Sequence, residues 1–148
     1  MANYIRVMKP STHTTHESTP SPMKKISLLL LVACSVVALQ AQALTRDAYS
    51  PELLAKKKQS GELVALHFHA FWCPTCWAQE KVFKTFLKDP DVPGTLLVVN
   101  YDTERELRRQ LNVRSQSTLI VYKGAEEQKR STGETDANVL RHVFTDVN

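Results

Sequence analysis

From residue 50 to residue 144 the chain alternates short apolar runs with longer mixed stretches. "ELVALHFHAF" (62–71) is mostly apolar and too short for an independent helix, so it reads as a strand buried on both faces. "TLLVVNYD" (95–102) and "STLIVYK" (117–123) read the same way. Gly124 to Glu126 turns the last of these into a partner at 127–132, and so short a connection predicts an antiparallel hairpin. Ser50-Pro51-Glu52 supplies a capping hydroxyl, a first-turn proline and an acid at the positive end of the dipole. These predict a helix that stops at Gly61, with Lys56-Lys57-Lys58 as a solvated face. From Pro74 to Leu87, the apolar positions Trp77, Val82, Phe83, Phe86 and Leu87 predict an amphipathic helix, ended by Asp89-Pro90. "TERELRRQL" (103–111) reads as a short charged helix capped by Thr103, with Leu107 and Leu111 facing inward. Gly133 and Thr135 introduce a final helix reaching Phe144.

The order α-β-α-β-α-β-β-α predicts an α/β fold, a central mixed sheet with helices on both faces. The domain expected at 44–148 has no internal repeat, and a chain of that length buries one modest core.

Ahead of the domain the pattern changes. Met23-Lys24-Lys25 is a basic start, Ile26 to Leu39 is apolar and uncharged, and Ala41-Gln42-Ala43 is a small-x-small cleavage site. In that order these are the parts of an export signal at 23–43, and the apolar run is short for a bilayer span. A bacterial, periplasmic location is the expectation. Residues 1–22 read as a mis-assigned start, with translation beginning at Met23; a disordered extension is the other reading. "LVAC" (31–34) resembles a lipobox, and the alternative is a membrane-anchored lipoprotein lipidated at Cys34. Against it, "SVVALQAQA" after Cys34 is still apolar.

The formal charge of +4 belongs mostly to that leading segment. From Leu44 onward there are 15 Lys and Arg against 14 Asp and Glu, a net of +1, which leaves no electrostatic footprint for nucleic acid. Removing the signal also removes Cys34, so Cys73 and Cys76 are the domain's cysteines. In an oxidising compartment they can close a disulfide. Such a bridge spans two residues and barely constrains the unfolded chain, so the pair is poorly placed for stability and well placed for exchange.

The pair falls where the first buried strand gives way to a helix. Unpaired N–H groups at a helix start stabilise a thiolate. Cys73, nearer that end, is then the attacking sulfur, and Cys76, about one turn later, resolves the mixed disulfide. Pro74 suits an early helical position, and Pro74-Thr75 influences the balance of dithiol and disulfide. Phe71 and Trp72 offer an apolar rim for a partner chain.

"FHAFWCPTCWAQEKVF", "LNVRSQSTLIVYKGAEE" and "STGETDANVLRHVF" together resemble the thioredoxin family, and the resemblance covers nearly all of 50–144. It implies a thioredoxin-like fold and a thiol–disulfide oxidoreductase with Cys73 as nucleophile, Cys76 as resolving thiol and a redox disulfide between them. It implies protein thiol and disulfide substrates, a recycling redox partner, a monomer and no cofactor.

Three residues depart from the family. Ser117 stands where a cis-proline is usual; a cis bond without proline costs about 2.5–4 kcal/mol, so a trans bond and a reshaped loop are expected. His67 stands where a buried acid assists proton transfer, on the strand face of His69 and Phe71. Histidine as a residue type titrates near neutrality, so this position could take the proton of Cys76; the other reading is a core histidine bonded to a backbone carbonyl. Trp77 replaces a basic residue and is expected to pack rather than dock. His142 is expected at the surface.

The alternative function is metal binding. His67-x-His69 with Cys73-x-x-Cys76 offers two nitrogens and two sulfurs, enough for zinc or copper, and loss of the proline opens the cysteines to an iron–sulfur cluster. Rigid strand histidines pointing into the fold need not converge with the sulfurs, so no metal is expected.

Overall fold

The computed structural model describes residues 43–147. The extension at 1–22, the lipobox at Cys34 and the signal, apart from its last residue Ala43, lie outside the described residues. The elements are β1 (Thr45–Ala48), α1 (Pro51–Gln59), β2 (Leu63–His69), α2 (Pro74–Phe86), β3 (Thr95–Asn100), α3 (Arg105–Gln110), β4 (Thr118–Lys123), β5 (Glu126–Thr132) and α4 (Ala137–Thr145). They build one mixed sheet in the order β1-β3-β2-β4-β5. β3 runs parallel to both β1 and β2, while β4 is antiparallel to β2 and β5.

β1 is an addition to the expected order. Its four residues are all exposed, so no apolar alternation marks it. It exists because Thr45 to Ala48 pair in register with Thr95 to Val98 at the sheet edge.

β2 lies at the centre, and its alternation divides the interior. Val64, Leu66 and Phe68 face one way and pack with Leu97, Val99, Ile120 and Tyr122 beneath Leu53 and Leu54 of α1 and Leu107 of α3. Leu63 and Ala65 face the other way, against Phe83 and Phe86 of α2 and Leu140, Val143 and Phe144 of α4. Each fully buried Leu or Phe contributes roughly 1.5–3 kcal/mol, so these two layers supply most of the driving force.

Capping sets the helix starts. Ser50 Oγ accepts from the Leu53 N–H at 3.1 Å, as its position before Pro51 suggests. Lys57 and Lys58 are less solvated than expected: Lys57 bonds Glu62, and the Lys58 ammonium lies 3.7 Å above the Tyr122 ring. α3 begins after Glu104, which makes no side-chain cap, and Thr103 is not its N-cap. Asn100 Oδ1 instead accepts from the N–H groups of Asp102 and Thr103, which ends β3 and turns the chain. α4 is capped by Asp136, whose carboxylate accepts from Asn138 and Val139. At Gly94, φ is +104° and an added Cβ would lie 2.7 Å from the Leu63 carbonyl oxygen, so only glycine lets the chain enter β3 this close to β2.

Candidate active site

The chain leaves β2 at His69 and turns tightly, Cys73 N–H donating to Ala70 O at 3.1 Å. Cys73 is itself the N-cap of α2, with extended φ −93° and ψ 110°. Its Sγ accepts the Cys76 N–H at 3.1 Å, the place normally taken by a hydroxyl or carboxylate oxygen. A neutral thiol accepts weakly and a thiolate strongly, so this cap favours the anion. Pro74 follows at the first helical position, where no donor is missed. Thr75 lies half-buried between the cysteines.

Both cysteines are free thiols. Cys73 keeps 2% of its surface and Cys76 none, so the leading sulfur is the one a partner can reach. Burial acts to raise the Cys73 thiol, but hydrogen bonds from Cys76, Ser117 and the backbone of Cys76 and Thr75 outweigh it and set it below an ordinary thiol. Burial, followed by the bond to Cys73, pushes the Cys76 thiol up. The pair is split into one acidic and one reluctant sulfur.

Ser117 closes the site from the loop before β4. No peptide bond among the described residues is cis, and Ser117 sits at φ +61°. Its N–H donates to Phe68 O at 2.9 Å, and its carbonyl accepts from Gly133 N–H and from Gln79 Nε2, both at 3.1 Å. That leaves its hydroxyl over the sulfurs, with Oγ 3.1 Å from Cys73 Sγ and 3.2 Å from Cys76 Sγ.

His67 is fully buried but bonds neither sulfur, so direct proton transfer from Cys76 is not what this geometry offers. Nor is its partner a backbone carbonyl. Nε2 lies 2.9 Å from Gln79 Oε1, and Nδ1 lies 3.4 Å from Glu80 Oε1, too poorly aligned for a hydrogen bond. The Gln79 amide nitrogen donates to the carbonyls of Ser117 and Glu134, so its oxygen is the end that accepts from His67. Glu80 pairs with Arg46 of β1 at 3.1 Å. Burial acts to raise the Glu80 carboxyl, but the neighbouring His67 ring and the hydrogen bond and charge of Arg46 outweigh it and hold it at about 2.

Gln79, Glu80 and Arg46 were not among the residues singled out from the sequence. A signal for two of them existed: Cys76, Gln79, Glu80, Phe83 and Phe86 share one face of α2, so two polar residues lie on its buried stripe opposite a strand histidine.

Around the sulfurs the surface is aromatic. Phe71 is 79% exposed, Trp72 60% and Trp77 45%. Trp72 Nε1 donates to Asp102 at 3.1 Å, and Trp77 Nε1 to Phe71 O at 2.7 Å. The Trp77 ring meets His69 and Phe71 edge-on, so it packs within the rim while remaining exposed. A cleft of about 230 Å³ opens beside it, lined by His69, Phe71, Val98, Asn100 and Asp102. A larger one, about 660 Å³, lies against α3 among arginines and includes none of these residues. His142 is exposed and pairs with Asp146. Among the described residues no group of three or more His, Cys, Asp or Glu is arranged to hold a metal. His67 is tied to Gln79 and His69 meets Trp77 edge-on, so the four candidate ligands do not converge.

A family model described as Thioredoxin matches residues 40–146. The chain is 35% identical over 94 residues to Thioredoxin-like 2-2, chloroplastic, of Arabidopsis thaliana, spanning 62% of this chain and 39% of that protein. It is 35% identical over 92 residues to the thioredoxin of Chlamydia trachomatis serovar D, spanning 62% of this chain and 87% of that one. The crystal structure of Trxlp from Edwardsiella tarda EIB202 is similar with a TM-score of 0.65 and 32% identity, covering 68% of this chain and 99% of that one.

Proposed function

The chain belongs to the thioredoxin family and its chemistry is thiol–disulfide exchange; from that premise we propose that Cys73 and Cys76 are its redox pair, acting on protein substrates after export to the periplasm. The Cys73 thiolate attacks one sulfur of a substrate disulfide, forming a mixed disulfide as the substrate's other sulfur leaves as thiolate. Cys76 then loses its proton and attacks Cys73 Sγ, which expels the second substrate thiolate and closes the Cys73–Cys76 disulfide. Two electrons pass to the substrate, and its two thiolates take up one proton from Cys76 and one from solvent. The reverse sequence oxidises a substrate dithiol, and a second redox protein restores the starting state.

One observation carries this reading: Cys73 Sγ occupies the helix cap and accepts the Cys76 N–H. The exposed rings of Phe71, Trp72 and Trp77 and the adjoining cleft support docking of an apolar stretch of substrate next to the one sulfur with residual exposure. Export rests on the ordered signal parts at 23–43, with a mature start at Leu44.

Turnover of insulin disulfides with dithiothreitol as reductant tests the exchange. Cys73→Ser abolishes it, and Cys76→Ser accumulates a mixed disulfide with substrate. Wild-type turnover by Cys73→Ser would refute the assignment. Mass spectrometry of the secreted form tests export: a periplasmic chain beginning at Leu44 is expected, while a lipid-bearing Cys34 in the membrane fraction would replace it with the lipoprotein.

A further inference from the structure

Ser117 is an expensive residue for its position. A side chain other than glycine at φ +61° costs of order 1 kcal/mol, and glycine would fit that backbone without strain. The backbone needs nothing from the side chain, since its N–H and carbonyl are already satisfied by Phe68, Gly133 and Gln79. What serine adds, in a residue only 3% exposed, is a hydroxyl whose partners are the two sulfurs alone.

The proton count assigns the donors. In the reduced enzyme, Cys73 as thiolate carries no proton and can only accept. Cys76 keeps one S–H, which turns to the Ser117 oxygen or directly to Cys73. In either case the hydroxyl proton remains for the thiolate. Closing the disulfide removes the anion and leaves a weak acceptor in its place, so the hydrogen bond is strong in the dithiol state and weak in the oxidised one.

We propose that Ser117 is a third member of the catalytic set, a hydroxyl that stabilises the dithiol state by donating to the Cys73 thiolate and so makes the pair a stronger oxidant. Gln79 is the positioning residue behind it. Its amide fixes the Ser117 carbonyl while its oxygen is taken by His67, itself set beside the Glu80–Arg46 pair. The line of contacts runs from the sheet edge to the sulfurs, and it fixes the loop without a proline.

This proposal rests on the exchange reading, and its test separates the two. The full chain, Ser117→Ala and Ser117→Gly are equilibrated with reduced and oxidised glutathione. Two glutathione thiols supply two electrons and two protons; one proton stays on Cys76 and the other goes to solvent. Both variants are expected to shift that equilibrium toward the enzyme disulfide about tenfold, the size of one hydrogen bond to a charged group. Thiolate ultraviolet absorbance should show Cys73 ionising at higher pH in both. Ser117→Gly relieves the backbone strain that Ser117→Ala retains, so agreement between them isolates the hydroxyl. An unchanged equilibrium and unchanged ionisation in folded variants would overturn the proposal, as would a shift in Ser117→Ala alone. A wild-type chain that never cycles defeats the exchange reading instead, and the ionisation arm, which needs no turnover, still decides the role of the hydroxyl.

Discussion

β2 sends alternate side chains into two different interiors. On one face Val64, Leu66 and Phe68 pack with buried Leu97, Val99 and Ile120 and the Tyr122 ring. On the other, Leu63 and Ala65 begin an equally apolar layer, which then gives way to His67 against Gln79 and Glu80. Burying polar and ionic groups gains little stability compared with carbon, because desolvation offsets much of the attraction. The polar end of the second face therefore adds little to stability, and its Gln79 instead holds the Ser117 carbonyl near the sulfurs.

Four variants break or sharpen that contrast. Leu66→Ala, in the apolar layer, should cost about 3–4 kcal/mol by urea denaturation through lost burial and a residual cavity. The glutathione equilibrium of its folded fraction should not move; a shift would mean the two faces are not separate.

Glu80→Gln should cost about 2–3 kcal/mol, since Arg46 loses the half-buried carboxylate it pairs with. It should also change the acid limb. The Glu80 carboxyl is held at about 2 against an ordinary 4.5, so its contribution is complete above the higher value and disappears as pH falls toward the lower one. Wild type should lose stability over that interval more steeply than Glu80→Gln, read from urea midpoints; parallel curves would remove Glu80 from the network.

Ser50→Ala deletes the cap of α1 on the apolar side and should cost about 1 kcal/mol, with no change in exchange. His67→Leu with Gln79→Leu exchanges both partners of one buried hydrogen bond for carbon but takes the Gln79 donor from the Ser117 and Glu134 carbonyls, and should cost about 1 kcal/mol. This modest effect on folding should be accompanied by a shift of roughly threefold toward the disulfide, because the Ser117 carbonyl loses the Gln79 donor. A redox equilibrium identical to wild type would dissociate the polar layer from the site.

Much of the fold was legible because its signals are local. The run at 62–71 and the stripe from Trp77 to Leu87 each carry their periodicity within a few residues, and Ser50 announces α1 by adjacency to Pro51. β1 was not legible, since four exposed residues carry no pattern and only pairing with β3 makes them a strand. The Thr103 cap failed for a related reason: Asn100, three residues upstream, satisfies the backbone there. The site divides along the same line. Cys73-Pro74-Thr75-Cys76 at a strand-to-helix junction marks the sulfurs, whereas Gln79 and Glu80 are ordinary helix residues until their turn of α2 faces a buried histidine.

The sequence by itself determined most of the elements and their order and marked the two cysteines of the proposed redox pair, because hydrophobic period, caps and cysteine spacing act between neighbours along the chain. Tertiary structure alone decided what else surrounds the leading sulfur beyond the helix start. A hydroxyl 41 residues from Cys76 lies within hydrogen-bonding distance of both sulfurs only after β4 pairs with β2, and a histidine expected to serve Cys76 instead meets a glutamine 12 residues on. Hydrogen bonds act over about 3 Å, so partners this far apart in the chain become visible only once the sheet has closed the distance.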